Sequence, residues 1–261
     1  MMTVATGALI VDPLFYLAAI PAVILTGLAK GGFGGTFSVL ALPLLVLVVS
    51  PMQAAGIMLP ILLVMDAIAV VVWRKHWDAA NLKILVVAMT IGTALGYLTA
   101  TVLEDGHIRL MVGLIGLGFI AHSLIGRAGE GAASGPNWPR GLFWGTLSGL
   151  TSFVSHVGGP PIQVYLVPQR LSKEVFVGTM TMIFAFVNVL KIVPFWALGQ
   201  LSPTNLATSA ALLPVAILST IAGAWVVTRV DTVLFYRIIL WLLFFVSLKL
   251  VWDGLRLSFG V

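Results

Sequence analysis

The sequence contains no cysteine, which excludes disulfides, thiolate metal sites and cysteine-relay chemistry while leaving the compartment open. It is nearly as poor in charge. Only 9% of its 261 residues are Asp, Glu, Lys or Arg, whereas 60% are hydrophobic and the mean hydropathy is +1.10. A soluble domain of this length does not have such a composition. No HExxH sequence occurs and the four histidines fall in separate segments, so an intramembrane enzyme has little support and no metal or other cofactor is implied. The net charge of +5 is not gathered into a basic face, which argues against nucleic acid as a partner. GGFGGT lacks the Lys-Ser/Thr ending of a nucleotide P-loop and follows no strand, so nucleotide hydrolysis is unsupported. The opening residues MMTVATGALIVDP carry no basic segment of the signal-peptide type and are expected to stay in the mature protein.

What remains is apolar helix. Segments run at about 14–30, 36–49, 52–73, 82–103, 108–125, 141–157, 162–167, 175–198, 206–228 and 233–252. At roughly 20 residues per crossing the chain reads as a single transmembrane domain over 1–261 with about eight spans, its main partner the lipid bilayer. Segment 36–49 is only about 21 Å long as a helix, and 162–167 is shorter still, against an apolar core of about 30 Å. Each is expected to be the returning arm of a broken hairpin. GLAKGGFGGTFSVLALPLL is followed by Asp66, and GLTSFVSHVGGPPIQVYLVP by Asn188. Glycine-broken helices at matching positions of two halves point to a transport site. RAGEGAASGPNWPR, residues 127–140, has the composition of a linker. The first repeat is therefore 14–126 and the second 141–253.

Offsets of 122 to 127 residues pair Gly34-Gly35 with Gly158-Gly159, Gly56 with Gly178, Asp66 with Asn188, Gly96 with Gly223 and Glu104 with Asp231. Loop charge tests the arrangement independently. Arg74, Lys75 and Lys83, then Arg127 and Arg140, then Arg170 and Lys173, then Arg229 and Arg237 alternate with acidic or uncharged connections. If each hairpin enters and leaves on one side and three crossings follow, all these basic loops are cytoplasmic. The fold class expected is an all-α polytopic membrane protein of two inverted-topology repeats, each a broken hairpin plus three transmembrane helices. The N-terminus lies outside and the linker is cytoplasmic; Arg256, placed outside, is the one poor fit.

Few ionisable groups fall inside the spans. Asp66 lies about 12 Å inside the cytoplasmic end of its helix, where a carboxylate costs roughly 2.5 kcal/mol or more unless paired, protonated or facing a cavity. It is the candidate proton-coupling residue, with a helix-to-helix hydrogen bond as the alternative. Thr181, Asn188 and Lys191 share a helix face, and Lys191 either lines the site or snorkels outward. Lys30 and His156 flank the two breaks. Uncapped N–H groups at Gly34, Gly35, Gly158 and Gly159, at the positive ends of the returning arms, would cradle an anion. Lys30 or His156 would balance its charge, unless Lys30 is an interfacial anchor and His156 a satisfied core histidine. Gly92-x-x-x-Gly96, Ser219-x-x-x-Gly223 and the series Gly145, Gly149, Ser152 read as helix-packing faces. Trp73, Trp77, Trp138, Trp144 and Trp252 lie near helix ends, as aromatic belts do.

The paired motifs resemble the signature halves of the TauE/SafE sulfite and organosulfonate exporter family, which includes permeases of the 4-toluene sulfonate uptake type. The likeness spans about Phe15 to Trp252. It implies a bacterial inner-membrane secondary carrier for a small sulfur-containing anion such as sulfite, sulfoacetate or a related organosulfonate. Export is the family expectation, with one repeat rocking against the other. Relatives that handle thiosulfate through cysteines are excluded as guides because this chain has none. Another small anion such as a carboxylate, a passive anion channel, and assembly as a homodimer are left open by the sequence.

Overall fold

The computed structural model describes residues 9–32, 40–125, 134–226 and 232–260. They form helices α1 (Pro13–Gly32), α2 (Ala41–Val46), α3 (Pro51–Trp73), α4 (Ala79–Val102), α5 (Asp105–Ile125), α6 (Trp138–Ser155), α7 (Gly159–Leu166), α8 (Lys173–Leu190), α9 (Ile192–Ala197), α10 (Pro203–Val226) and α11 (Thr232–Phe259). Among the described residues there is no strand. Local chemistry starts the helices where the chain provides caps. Ser50 accepts from the N–H of Gln53 with Pro51 following, Asp78 from that of Asn81, and Asn137 from that of Arg140; each satisfies an N–H that the helix itself cannot. Five helices, α1, α3, α4, α10 and the α8–α9 pair taken as one, are long and apolar enough to cross a bilayer.

Short arms appear at both expected places. α2 is six residues and α7 eight, too short to span. α6 ends because Pro160 and Pro161 cannot donate to the carbonyls of His156 and Val157. His156 closes it in the left-handed region, at φ 54°, a conformation uncommon for a residue with a Cβ. The span expected over 175–198 is divided at Lys191. Pro194 cannot donate to the carbonyl of Leu190, and the chain takes a turn there before resuming as α9. The expected glycine pair Gly34-Gly35 and the acidic Asp231 lie outside the described residues.

Three helix pairs make the most extensive contacts, α4 with α6, α5 with α11, and α1 with α10. Small residues let the first and last of these close. A Cβ built on Gly149 would lie 2.5 Å from the Met89 carbonyl oxygen, and one on Gly223 would lie 2.6 Å from that of Leu28. The small-residue motifs are thus packing faces, as their spacing indicates. Gly56 abuts the chain before α10, with the Gln200 oxygen 2.6 Å from a built Cβ, while Gly178 abuts His76 in the chain before α4. Asn81 at the start of α4 exchanges amide hydrogen bonds with Gln169 at 2.8 and 3.1 Å, and Asn205 at the start of α10 accepts from Gln53 at 3.3 Å.

Gly149→Val inserts branched carbon against the α4 backbone and is expected to destabilise the bundle by about 1–3 kcal/mol. Thermal unfolding in detergent should register this as a lower midpoint, whereas Gly118→Ala, where a Cβ meets nothing within 4 Å, should leave the midpoint in place.

Candidate functional site: a charged cavity between the helix breaks

Polar side chains of α1, α3, α6 and α8 border one interior cavity, and Lys191 lies directly behind it. Lys30 is in the last turn of α1, Asp66 on α3, Asn188 near the end of α8, Lys191 at the α8–α9 turn and His156 at the end of α6. The cavity is lined by Lys30, Asp66, His156, Gly159, Thr181 and Asn188 together with Thr26, Ser152 and apolar residues of α2, α3 and α8.

The side chains form one connected chain of hydrogen bonds. Lys30 Nζ donates to Asp66 Oδ1 in a buried ion pair, and Asn188 Nδ2 donates to Asp66 Oδ2 at 2.6 Å. Asn188 Oδ1 accepts from Lys191 Nζ at 3.2 Å. Lys191 also donates to the Ser152 carbonyl oxygen at 2.6 Å and lies 2.9 Å from Ser152 Oγ and 3.1 Å from His156 Nδ1. His156 Nε2 is 3.1 Å from the Ala55 carbonyl oxygen on α3. A carbonyl only accepts, so the network assigns the ring proton to Nε2 and leaves Nδ1 as acceptor for Lys191.

Burial decides between several readings left open by the sequence. Lys191 is fully buried and Lys30 is 9% exposed; neither snorkels. Lys191 has no carboxylate partner within ion-pair distance among the described residues. Its ammonium instead meets the last turn of α6, where the negative end of the helix dipole and a carbonyl oxygen stabilise a cation. Asp66 is 4% exposed with both oxygens engaged, which is how a carboxylate is retained in a low-dielectric interior. Counting formal charges, two lysines and one carboxylate meet here, a formal surplus of one positive charge.

The glycines divide. Gly159 lines the cavity, while Gly158 lies behind it with its carbonyl oxygen accepting from Ser148 Oγ at 2.5 Å. A Cβ at Gly158 would meet Phe184, Ser148 and Ser152 at 2.8 Å. Because Pro160 and Pro161 have no N–H, the start of α7 offers only the donors of Gly158 and Gly159. Gly34 and Gly35 lie outside the described residues. Sequence reasoning missed two contributors. Ser152 enters through its backbone oxygen as well as its hydroxyl, and its place one turn before His156 on α6 was the available signal. Ala55 enters only through its carbonyl, which no side-chain pattern marks.

No curated protein and no solved structure matches the chain. The family model for the sulfite exporter TauE/SafE matches residues 19–250, which takes in all the elements of the cavity and covers most of the chain. The chain therefore belongs to the TauE/SafE sulfite exporter family of membrane transporters.

Proposed function

We propose that this chain is a secondary carrier, not an enzyme, that moves a small sulfur-containing anion such as sulfite, sulfoacetate or a related organosulfonate across a bacterial inner membrane by alternating access, in the direction of export. One observation carries the reading: the buried Lys30–Asp66 ion pair lines a cavity between the two helix breaks of a bundle with several bilayer-length helices. An anion entering the cavity competes with Asp66 for the Lys30 ammonium. A sulfonate brings three oxygens and one negative charge, enough to accept from Lys30 and from the N–H group at Gly159. The surplus positive charge of the site then becomes neutral. Once displaced from Lys30, Asp66 is an unpaired buried carboxylate that favours taking a proton. That exchange couples anion binding to proton binding and gives Asp66 its role.

The packing supports inverted repeats. Exchanging α1 with α6, α2 with α7, α3 with α8, α4 with α10 and α5 with α11 converts the α1–α10 pair into α6–α4 and leaves α3–α8 and α5–α11 unchanged. It also converts the Asn81–Gln169 pair into an Asn–Gln pair at the start of α10. The matched residues Asp66 and Asn188 touch each other, as residues beside a two-fold axis do. The first helix of each half packs on the other half, so the bodies that rock are α1 with α10 against α4 with α6, rather than one repeat against the other. In the same reading the N-terminus is outside and the central linker cytoplasmic.

In proteoliposomes, sulfite or sulfoacetate flux should saturate and respond to an imposed pH gradient, and Lys30→Ala should lower it at least tenfold. Asp66→Asn should keep measurable flux and lose the gradient response. Equal transport of acetate would overturn the substrate assignment, and large ohmic currents would indicate a channel. Lys30→Ala strands a buried carboxylate, at a cost of about 3–5 kcal/mol in stability. Lys30→Ala/Asp66→Ala should therefore recover much of the thermal midpoint in detergent without recovering flux.

A further inference from the structure

Lys191 and His156 share no direct hydrogen bond with Asp66 or Lys30, yet their nitrogens are all partnered. The two nitrogens, Lys191 Nζ and His156 Nδ1, are 3.1 Å apart. A hydrogen bond between two basic nitrogens holds one proton: one nitrogen donates and the other must present a lone pair. Two protonated nitrogens at this distance would repel, and the pair is buried where that repulsion is poorly screened.

Both positions of the proton are satisfied by the surrounding atoms. With the proton on lysine, Lys191 donates to His156 Nδ1 and to the Ser152 carbonyl oxygen, with Ser152 Oγ and Asn188 Oδ1 also within reach. With the proton on histidine, the Lys191 N–H bond breaks and the Nδ1–H bond forms. The ring then donates from Nδ1 to the Lys191 lone pair and from Nε2 to the Ala55 carbonyl oxygen. The neutral amine keeps two N–H groups for Ser152 and Asn188. The two positions differ in where the charge is. His156 lines the cavity, whereas Lys191 lies behind it. The other ionisable groups that border the cavity are Lys30 on α1 and Asp66 on α3. Among the described residues, α2, α7 and α9 bring none, and α9 presents Phe195, whose ring lies 6.1 Å from that of His156. α8 contributes Lys191 itself.

We propose that Lys191 and His156 are a proton-binding dyad, separate from Asp66, whose single shared proton moves onto the His156 ring when an anion occupies the cavity. The dyad supplies positive charge at the cavity wall while the cavity is filled and withdraws it toward the end of α6 when the cavity is empty. The anion-driven step rests on the carrier reading above; the shared proton does not.

The test is nitrogen NMR of the full chain in lipid nanodiscs with labelled histidine. Four histidine signals are present in the chain, and His156→Gln identifies the one of interest. In the wild type the ring is expected to be protonated at Nε2 with a hydrogen-bonded Nδ1. Lys191→Met, which keeps an unbranched stem out to Cε and removes the nitrogen, should abolish the Nδ1 hydrogen-bond shift and move the ring's titration midpoint by about one pH unit or more. An unchanged Nδ1 signal and midpoint in Lys191→Met would overturn the dyad, whatever anions do. Sulfite, with binding followed in parallel by calorimetry, should move the wild-type ring toward the doubly protonated form. Sulfite that binds and leaves the ring unchanged overturns the anion-driven step. If sulfite, sulfoacetate and acetate all fail to bind while Lys191→Met still moves the ring, the carrier reading fails and the shared proton stands.

Discussion

A charge inside a bilayer has to be answered by another charge, a dipole or a hydrogen-bonding shell, and this constraint organises the centre of the molecule. The protein answers it in two ways. Lys30 and Asp66 neutralise each other directly, while Lys191 is held by carbonyl, hydroxyl, amide and imidazole acceptors at the end of a helix. Both solutions need a helix that stops inside the protein. The Ser152 carbonyl, in the last turn of α6, accepts from the His156 N–H at 3.0 Å and from Lys191 as a second donor, and α8 must turn at Lys191 for that lysine to point inward. The prolines at 160, 161 and 194 are therefore as much a part of the electrostatics as the ionisable groups.

The close approach of helix backbones serves the same end. Where Gly149 of α6 packs against α4 and Gly223 of α10 against α1, the bundle has no room for intervening side chains, and the positions of α1 and α6 are set to within a fraction of a side chain. Their last turns carry Lys30 and His156. A looser fit would leave the two breaks free to shift, and the hydrogen bonds linking Asp66, Asn188 and Lys191 would lengthen with them.

Much of this was readable from the residues alone. Glycine and serine at four-residue spacing specify close packing without knowledge of the partner, and a carboxylate within an apolar run announces a buried function. Two short apolar segments after glycine breaks could not span and had to return. The partners were not readable. Lys30 and Asp66 lie on different helices, and nothing in their spacing indicates that α1 and α3 bring them face to face. Lys191 has a stem long enough to reach either water or the interior, and only the turn imposed by Pro194 decides between them. The contributions of Ala55 and of the Ser152 carbonyl come from backbone atoms that every residue has.

The partnership of α1 with α10 has a consequence for how the chain is assembled. Ribosomes deliver α1 first and α10 next to last, with some 170 residues between the end of one and the start of the other. Until α10 arrives, the small face around Gly27 and Gly31 has no neighbour, and the Lys30 ammonium lacks the packing that later encloses it. α4 and α6 follow each other closely and can pair early. α1 can neutralise its lysine on Asp66 of α3 early, but it gains its principal packing partner only when the second half of the chain is in place.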